Sequence, residues 1–322
     1  MEGISTNISS LLGNPNHTTT ETCDETLQKI FWVVNGVLAL IIFAGNTLTC
    51  VIFLSTTILR QQIMNIFLVS LAVSDILMAI MVVPGYTVFC AGCKYLSTDT
   101  CWILAQTKDI VFSSSFFSLL AITYDRYLAV LRPLQYSSKM TRTKVTCMVI
   151  AIWVIPALVA TARNIWWQTQ EEEKAKVINQ VYNVILVFLL VVLPAIIMTV
   201  VNSMIIRAIR TQRRKTIPMR DSLSSTSTVQ ESSCEETRAA SVRKRKGTSA
   251  CAAVVLVFVL SWVPRSIYNF AFVVGRADLV TPLLVKLSMF FLLLQSCVNP
   301  FIYSFYRTDF RQAAKRLFKF CH

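Results

Sequence analysis

The side chains able to do chemistry are few, and most lie isolated in apolar surroundings. The two histidines, His17 and His322, are both terminal. Within the apolar segments there is no Ser/His/Asp set, no metal-ligand spacing and no phosphate-binding glycine loop, so an enzyme is not expected. What remains is Asp75, the pair Lys108-Asp109, the pair Asp125-Arg126, and Arg265. An ionisable group inside a long apolar stretch is expensive, and such groups mark ion sites, ligand partners or switches. The chemistry expected here is charge recognition and electrostatic switching.

The elements that position these groups follow from composition. The chain has 322 residues, 54% hydrophobic and only 15% charged, where soluble domains carry about 25% charged residues. Seven long apolar runs are read as membrane-spanning helices, at 29–54, 63–89, 101–128, 145–165, 177–206, 248–274 and 282–305. They are longer and more continuous than barrel strands. Pro84, Pro156, Pro194, Pro264 and Pro300 fall inside them, which a membrane helix tolerates because neighbours re-satisfy the freed carbonyls. The fold class is an all-α integral membrane bundle of seven helices with a short amphipathic C-terminal helix. Its parts are an extracellular N-terminal segment 1–28, a transmembrane domain 29–306, and a membrane-surface segment 307–322. No basic start followed by an apolar run opens the chain, so the first span is expected to serve as the insertion signal.

Charge sets the orientation. The loops after spans one, three and five, with the tail, hold 22 of the 31 basic residues and 6 of the 17 acidic ones, so that side is cytoplasmic. The plus charge is therefore read as membrane-facing, with lipids rather than nucleic acid as its partner. Asn7 and Asn16 begin glycosylation triplets on the opposite side. This gives a multi-pass plasma-membrane protein with its N-terminus outside. Loop 211–247 is polar and serine-rich, and is read as disordered. Segment 307–320 places Phe310, Ala313, Ala314, Leu317 and Phe318 on one stripe, as in a helix lying on the inner leaflet. Cys321 behind it is a candidate for palmitoylation or an unmodified thiol.

Seven spans suit transporters as well as receptors, and the polar words inside them separate the two. Gly45-Asn46 stands in span one and Leu71–Asp75 in span two. Asp125-Arg126-Tyr127 ends span three, with Leu128–Leu134 following. Trp153 stands in span four, Pro194 in span five, Ser261–Pro264 in span six and Asn299–Tyr303 in span seven. Each occurs once, in order and at the expected depth. The set resembles the rhodopsin-like (class A) G-protein-coupled receptors over about residues 29–320. Its wording is nearest the aminergic and trace-amine-like branch. A transporter would show repeats with broken helices at matching places, and no repeat is visible.

The resemblance assigns roles. Asp75 with Asn46, Ser115, Ser296 and Asn299 would form an oxygen-rich cage for an allosteric sodium ion, or a hydrogen-bonded network without one; no other metal and no cofactor is expected. Arg126 would be held by Asp125 at rest and meet a heterotrimeric G protein on opening. Leu134 would insert into the same partner. Phe116, Pro194, Phe258 and Trp262, with Pro264, Asn299, Pro300 and Tyr303, correspond to the activation switch. Two positions depart from the family: Lys244 stands where a carboxylate on span six often restrains the arginine, and Asn202 where a tyrosine often joins Tyr303. Both disturb the resting equilibrium, so raised basal activity is expected. Receptor kinases and arrestin are expected to act on loop 211–247.

The ligand region departs further. Where amine receptors carry an aspartate, seven residues after Cys101, this chain has Lys108. Lys108 and Arg265 suggest a small anionic ligand, with Ser113, Asn269 and Met289 also lining the pocket. The alternatives are that Lys108 is neutralised by Asp109 or by Glu171–Glu173, that an amine uses Asp109, that the ligand is a peptide or a lipid, or that the receptor is a constitutively active orphan. The retinal-binding lysine of opsins is replaced by Leu293. The second outer loop, about 164–178, has no cysteine. The family's usual bridge from Cys101 cannot form, leaving Cys23 or Cys93 as partner. Cys50, Cys147, Cys251 and Cys297 are read as small core residues.

Overall fold

The structure, a computed structural model, describes residues 25–90, 98–169, 188–223, 253–274 and 281–320, with scattered positions at 174, 178, 181–182, 184–186, 276 and 279. The described residues are helical with short connections and contain no strand. Helix α1 is Glu25–Ser55, α2 Thr57–Arg60 and α3 Ile63–Leu77. The last runs on as a π-helical stretch, Met78–Cys90, around Pro84. Proline lacks the N–H that an α-helical ladder needs there, and a wider turn accommodates the loss. Next come α4 Thr98–Leu131, α5 Pro133–Lys139 and α6 Arg142–Thr169. A π turn, Phe188–Val192, leads into α7 Leu193–Leu223. Residues 253–261 are helical, Trp262 forms a turn, and α8 resumes as Val263–Val273. Pro264 cannot donate to the carbonyl four residues before it, which loosens the ladder at Trp262. Helix α9 is Pro282–Tyr306, started by Thr281, whose hydroxyl accepts from Leu284 N at 3.2 Å. Helix α10, Thr308–Phe320, closes the described chain.

Every expected span falls on a described helix, in whole or in part. Five of these helices are long and apolar enough to cross a membrane, and Ala253–Tyr268 is a shorter apolar run. Large apolar side chains face outward, among them Leu40 at 71% exposure and Leu158 at 64%. In water such a surface would drive association, whereas hydrocarbon solvates it. One apolar core, around Phe67, Phe116 and Tyr303, occupies the inner half of the bundle. A second, around Ile42, Met78 and Leu293, joins α1, the π-helical stretch and α9. The polar residues Asn46, Ser74, Asp75 and Asn299 are fully buried.

Several sequence readings are corrected. Residues 211–223, read as disordered loop, continue α7. The run Gln212-Arg213-Arg214-Lys215 consists of good helix formers and carries the helix on from the apolar span. Arg307, which opens the segment read as lying on the membrane surface, is 3% exposed. Its guanidinium donates to Asn65 Oδ1 at 2.6 Å and to Asp309 Oδ2 at 2.5 Å, and lies 5.4 Å from the Phe53 ring centroid. The stripe of α10 faces protein at its near end: Phe310 and Ala313 are buried, with Phe310 edge-on to Phe53 at 5.3 Å. A cation and an aromatic already sunk into the bundle hold that end of the helix down. Cys147 is exposed rather than core, while Cys297 is buried and Cys50 intermediate. Cys251, Asn7, Asn16, Cys321, Lys244 and Glu171–Glu173 lie outside the described residues.

Candidate functional site

The deepest polar group is Asp75 on α3. Ser296 Oγ donates to its Oδ1 at 2.7 Å and Asn299 Nδ2 to its Oδ2 at 2.8 Å. Both donors come from α9, one turn apart, so they share a helix face. Asn46 does not bond the carboxylate. Its Nδ2 donates to the carbonyl of Ser296 at 3.2 Å and of Ile42 at 3.0 Å. The Ser296 carbonyl is the one Pro300 leaves without an N–H partner, so Asn46 repairs the defect in α9. Gly45 permits the approach, since a Cβ there would meet Pro300 Cγ at 2.9 Å. Three buried oxygens of the expected cage, Asn46 Oδ1, Ser115 Oγ and Asn299 Oδ1, have no hydrogen-bond partner among the described residues. With the Asp75 carboxylate they make an all-oxygen donor set, which suits a hard cation such as sodium.

The inner rim is built on Asp125, which is fully buried. Arg126 Nε donates to its Oδ2 at 2.8 Å, and a terminal guanidinium nitrogen meets the same oxygen. Tyr136, on α5, donates from its hydroxyl to Oδ1 at 2.8 Å. Both carboxylate oxygens are thus engaged. Burial, reinforced by the charge and hydrogen bond of Asp125, pushes the Tyr136 phenol up beyond its ordinary range, so it stays a donor. Tyr136 was not foreseen; its only signal is that Pro133 starts a short helix that turns the loop back under α4. Leu134, beside it, is 95% exposed. Tyr127 packs against the inner core. Asn202 is buried, with its amide donating to the Met198 carbonyl at 2.8 Å. Tyr303 is 2% exposed and packs against Phe53 and Phe310.

Between these centres runs an aromatic stack. Phe116 and Phe258 have centroids 5.3 Å apart, and Phe258 and Trp262 lie 5.6 Å apart. Phe112 extends it, edge-on to Trp262 at 6.2 Å. It lies one turn before Phe116 on α4, a spacing that could have announced it. Pro194 is buried nearby in sequence to the π turn of span five. A further unforeseen link ties three spans: Trp153 Nε1 donates to Ser70 Oγ at 3.2 Å, and Ser70 shares a hydrogen bond with Ser118 at 3.1 Å.

At the outer end Lys108 is buried and its Nζ lies 3.1 Å from Asp109 Oδ1. The long lysine stem spans the angle between adjacent helical positions. The Asp109 side chain is 43% exposed. Arg265 stacks 4.6 Å over the Tyr268 ring. Ser113 is partly buried and Met289 packs on the outer core, while the Asn269 side chain lies outside the described set. Trp102 and Gln106 of α4 both donate to Asn164 Oδ1 on α6, at 2.8 and 2.6 Å. Cys101 is disulfide-bonded, and both expected partners, Cys23 and Cys93, lie outside the described residues.

The aromatic stack thus lies between an outer charged region and an inner arginine. Comparisons with known proteins agree with it. The sequence profile of the 7 transmembrane receptor (rhodopsin family) matches residues 45–303. The chain is 29% identical over 320 residues to the human (Homo sapiens) histamine H2 receptor, covering 94% of this chain and 84% of that receptor. It is 28% identical to a Gq-coupled rhodopsin of Mizuhopecten yessoensis, covering 90% of this chain and 59% of the other. It is 26% identical to adenosine receptor A2a of Cavia porcellus, covering 91% and 73%. The chain belongs to the rhodopsin family of seven-transmembrane receptors and is a G-protein-coupled receptor of the membrane.

Proposed function

We propose that this receptor sits at the plasma membrane with its N-terminus outside and rests on a weak inner latch, giving raised activity without ligand. The observation that carries the reading is the Asp125 cluster. Arg126 is bonded to its sequence neighbour Asp125, and the sequence of span six, 248–274, carries no acidic residue, with 243–246 a run of four basic ones. Asn202, committed to its own helix backbone, supplies no phenol to meet Tyr303 in an open state. A gap of a few kcal/mol between states sets the resting population, so a span six without the restraining carboxylate leaves more of the open form. Leu134, exposed beside it, is the apolar contact for the G protein. Receptor kinases and arrestin act on the serine and threonine residues of 211–247. Nucleotide exchange on G protein, measured without ligand at matched surface expression, should exceed that of mock-transfected cells; equality would overturn the reading.

For the ligand we propose a small molecule bearing a carboxylate or similar anion, which exchanges into the Lys108–Asp109 pair. Lys108 replaces the group that would neutralise an ammonium, and Arg265 stands one turn above Trp262. A second reading, an amine held by Asp109, draws on the half-exposed Asp109 carboxylate and on likeness to a receptor named for histamine. Lys108→Ala separates them: it abolishes activation by an anion and spares activation by an amine. The Asp75 oxygen set is proposed as a sodium site that favours the resting state.

A further inference from the structure

On the inner half of the bundle a groove of about 490 Å³ opens between α4, α6 and α7. Its walls include Phe117 and Tyr127 of α4 and Ile152 of α6. Its mouth is formed by Tyr124, Ile155 and Ile197, which are 41%, 48% and 45% exposed, with Ile155 on α6 and Ile197 on α7. Those two helices are among the membrane-crossing ones, so the mouth faces hydrocarbon and the occupant must come from the membrane. Small-molecule sites run from about 300 to 1,000 Å³, and this groove falls inside that range.

One lining residue breaks the apolar pattern. Thr123 is 3% exposed, and its hydroxyl has no hydrogen-bond partner among the described residues. A buried hydroxyl left unpaired costs roughly 1–3 kcal/mol, a cost that a ligand hydroxyl at this position would remove. An acyl chain could cover the aromatic walls, but it carries no hydrogen-bonding group along its length and loses many rotamers when held. A rigid polycycle with one hydroxyl covers the same walls with little ordering cost. We infer that this groove is a binding site for a membrane sterol, with the ring system against Phe117 and Tyr127 and the hydroxyl paired to Thr123 Oγ1.

The test uses the full-length receptor in phosphatidylcholine nanodiscs containing a diazirine-bearing cholesterol, irradiated and mapped by peptide mass spectrometry. Adducts are expected in 117–127, 148–155 or 197–201. Ala151→Trp, which fills the groove, should cut them roughly tenfold, and Thr123→Val, which removes one hydrogen bond, about fivefold. Adducts on other helices should not change. If Ala151→Trp does not reach the membrane, Thr123→Val decides alone. The proposal fails if these peptides carry no adduct, or if Thr123→Val labels like wild type. It also fails if a phosphatidylcholine with a diazirine acyl chain labels them and excess cholesterol does not displace it.

Discussion

The hydroxyl of Tyr136 donates to Asp125 Oδ1 at 2.8 Å, on the opposite side of the carboxylate from Arg126. The short loop helix α5 is therefore part of the latch that holds the inner arginine. Hydrogen bonds to a charged group contribute about 1.5–3 kcal/mol. Tyr136→Phe keeps the ring and removes that bond. Ligand-independent nucleotide exchange should rise several-fold, up to about tenfold, at equal surface expression. Unchanged basal exchange in Tyr136→Phe would show that the loop does not restrain Asp125.

Arg307 joins the inner end of α3 to α10 through Asn65, Gln62 and Asp309. Removing one partner of a buried pair costs on the order of 3 kcal/mol, so Arg307→Ala should lower the thermal midpoint of the purified receptor measurably. Asp309 adds a pH dependence. Burial alone would raise its pKa, but the hydrogen bond and charge of Arg307 outweigh that and hold it below the ordinary 3.8. A carboxyl depressed in the folded state contributes fully above its unfolded pKa and loses that contribution as pH falls through the folded value. The midpoint difference between wild type and Asp309→Asn should thus be constant from pH 8 to 5 and shrink only in stronger acid. A difference that vanished by pH 6 would contradict the pairing.

The membrane helices were legible because lipid imposes one rule, a long apolar run, and the sequence obeys it. Two spans are exceptions: span six is described only as the shorter apolar run Ala253–Tyr268, and α4 falls short by composition. Lys108, Asp109, Asp125 and Arg126 dilute its hydropathy, and it is absent from the described helices that qualify by length and composition. Its motif announced it instead. The grouping of Ser296 and Asn299 with Asp75 was legible only through the family resemblance, which also put Asn46 there, where its amide bonds the Ser296 carbonyl instead. Arg307 and Tyr136 were not. A cation near a membrane surface reads the same in sequence whether solvated or buried. Where Tyr136 points depends on how α5 folds back, which no local spacing encodes.

Gly45 gives a packing test. A Cβ at this position would stand 2.9 Å from Pro300 Cγ and 3.3 Å from Pro300 Cβ. The proline ring cannot swing aside, since it is built into the backbone of α9. Overpacking of this kind costs typically 1–3 kcal/mol, and here it would also stretch the Asn46 bond to the Ser296 carbonyl. Gly45→Ala should lower the thermal midpoint and surface expression, while Gly36→Ala, where a Cβ meets nothing within 4 Å, should leave both unchanged. Equal behaviour of the two variants would refute the close approach.

Asp75 carries the prediction with the widest consequence. Its carboxylate and the three buried oxygens without a partner among the described residues are the donors proposed for the cation; left unpaired, each would cost about 1–3 kcal/mol. An ion that prefers the resting arrangement shifts the equilibrium by its differential affinity and no more. Sodium should therefore weaken agonist binding and basal exchange in wild type, with potassium at the same ionic strength as control. Asp75→Asn keeps the size and the bond from Ser296 but removes the charge, and should abolish the sodium effect. Sodium sensitivity that survives in Asp75→Asn would place the ion elsewhere. Insensitivity of the wild type at physiological concentration would leave the cluster as a hydrogen-bonded network, with its orphaned oxygens satisfied by water.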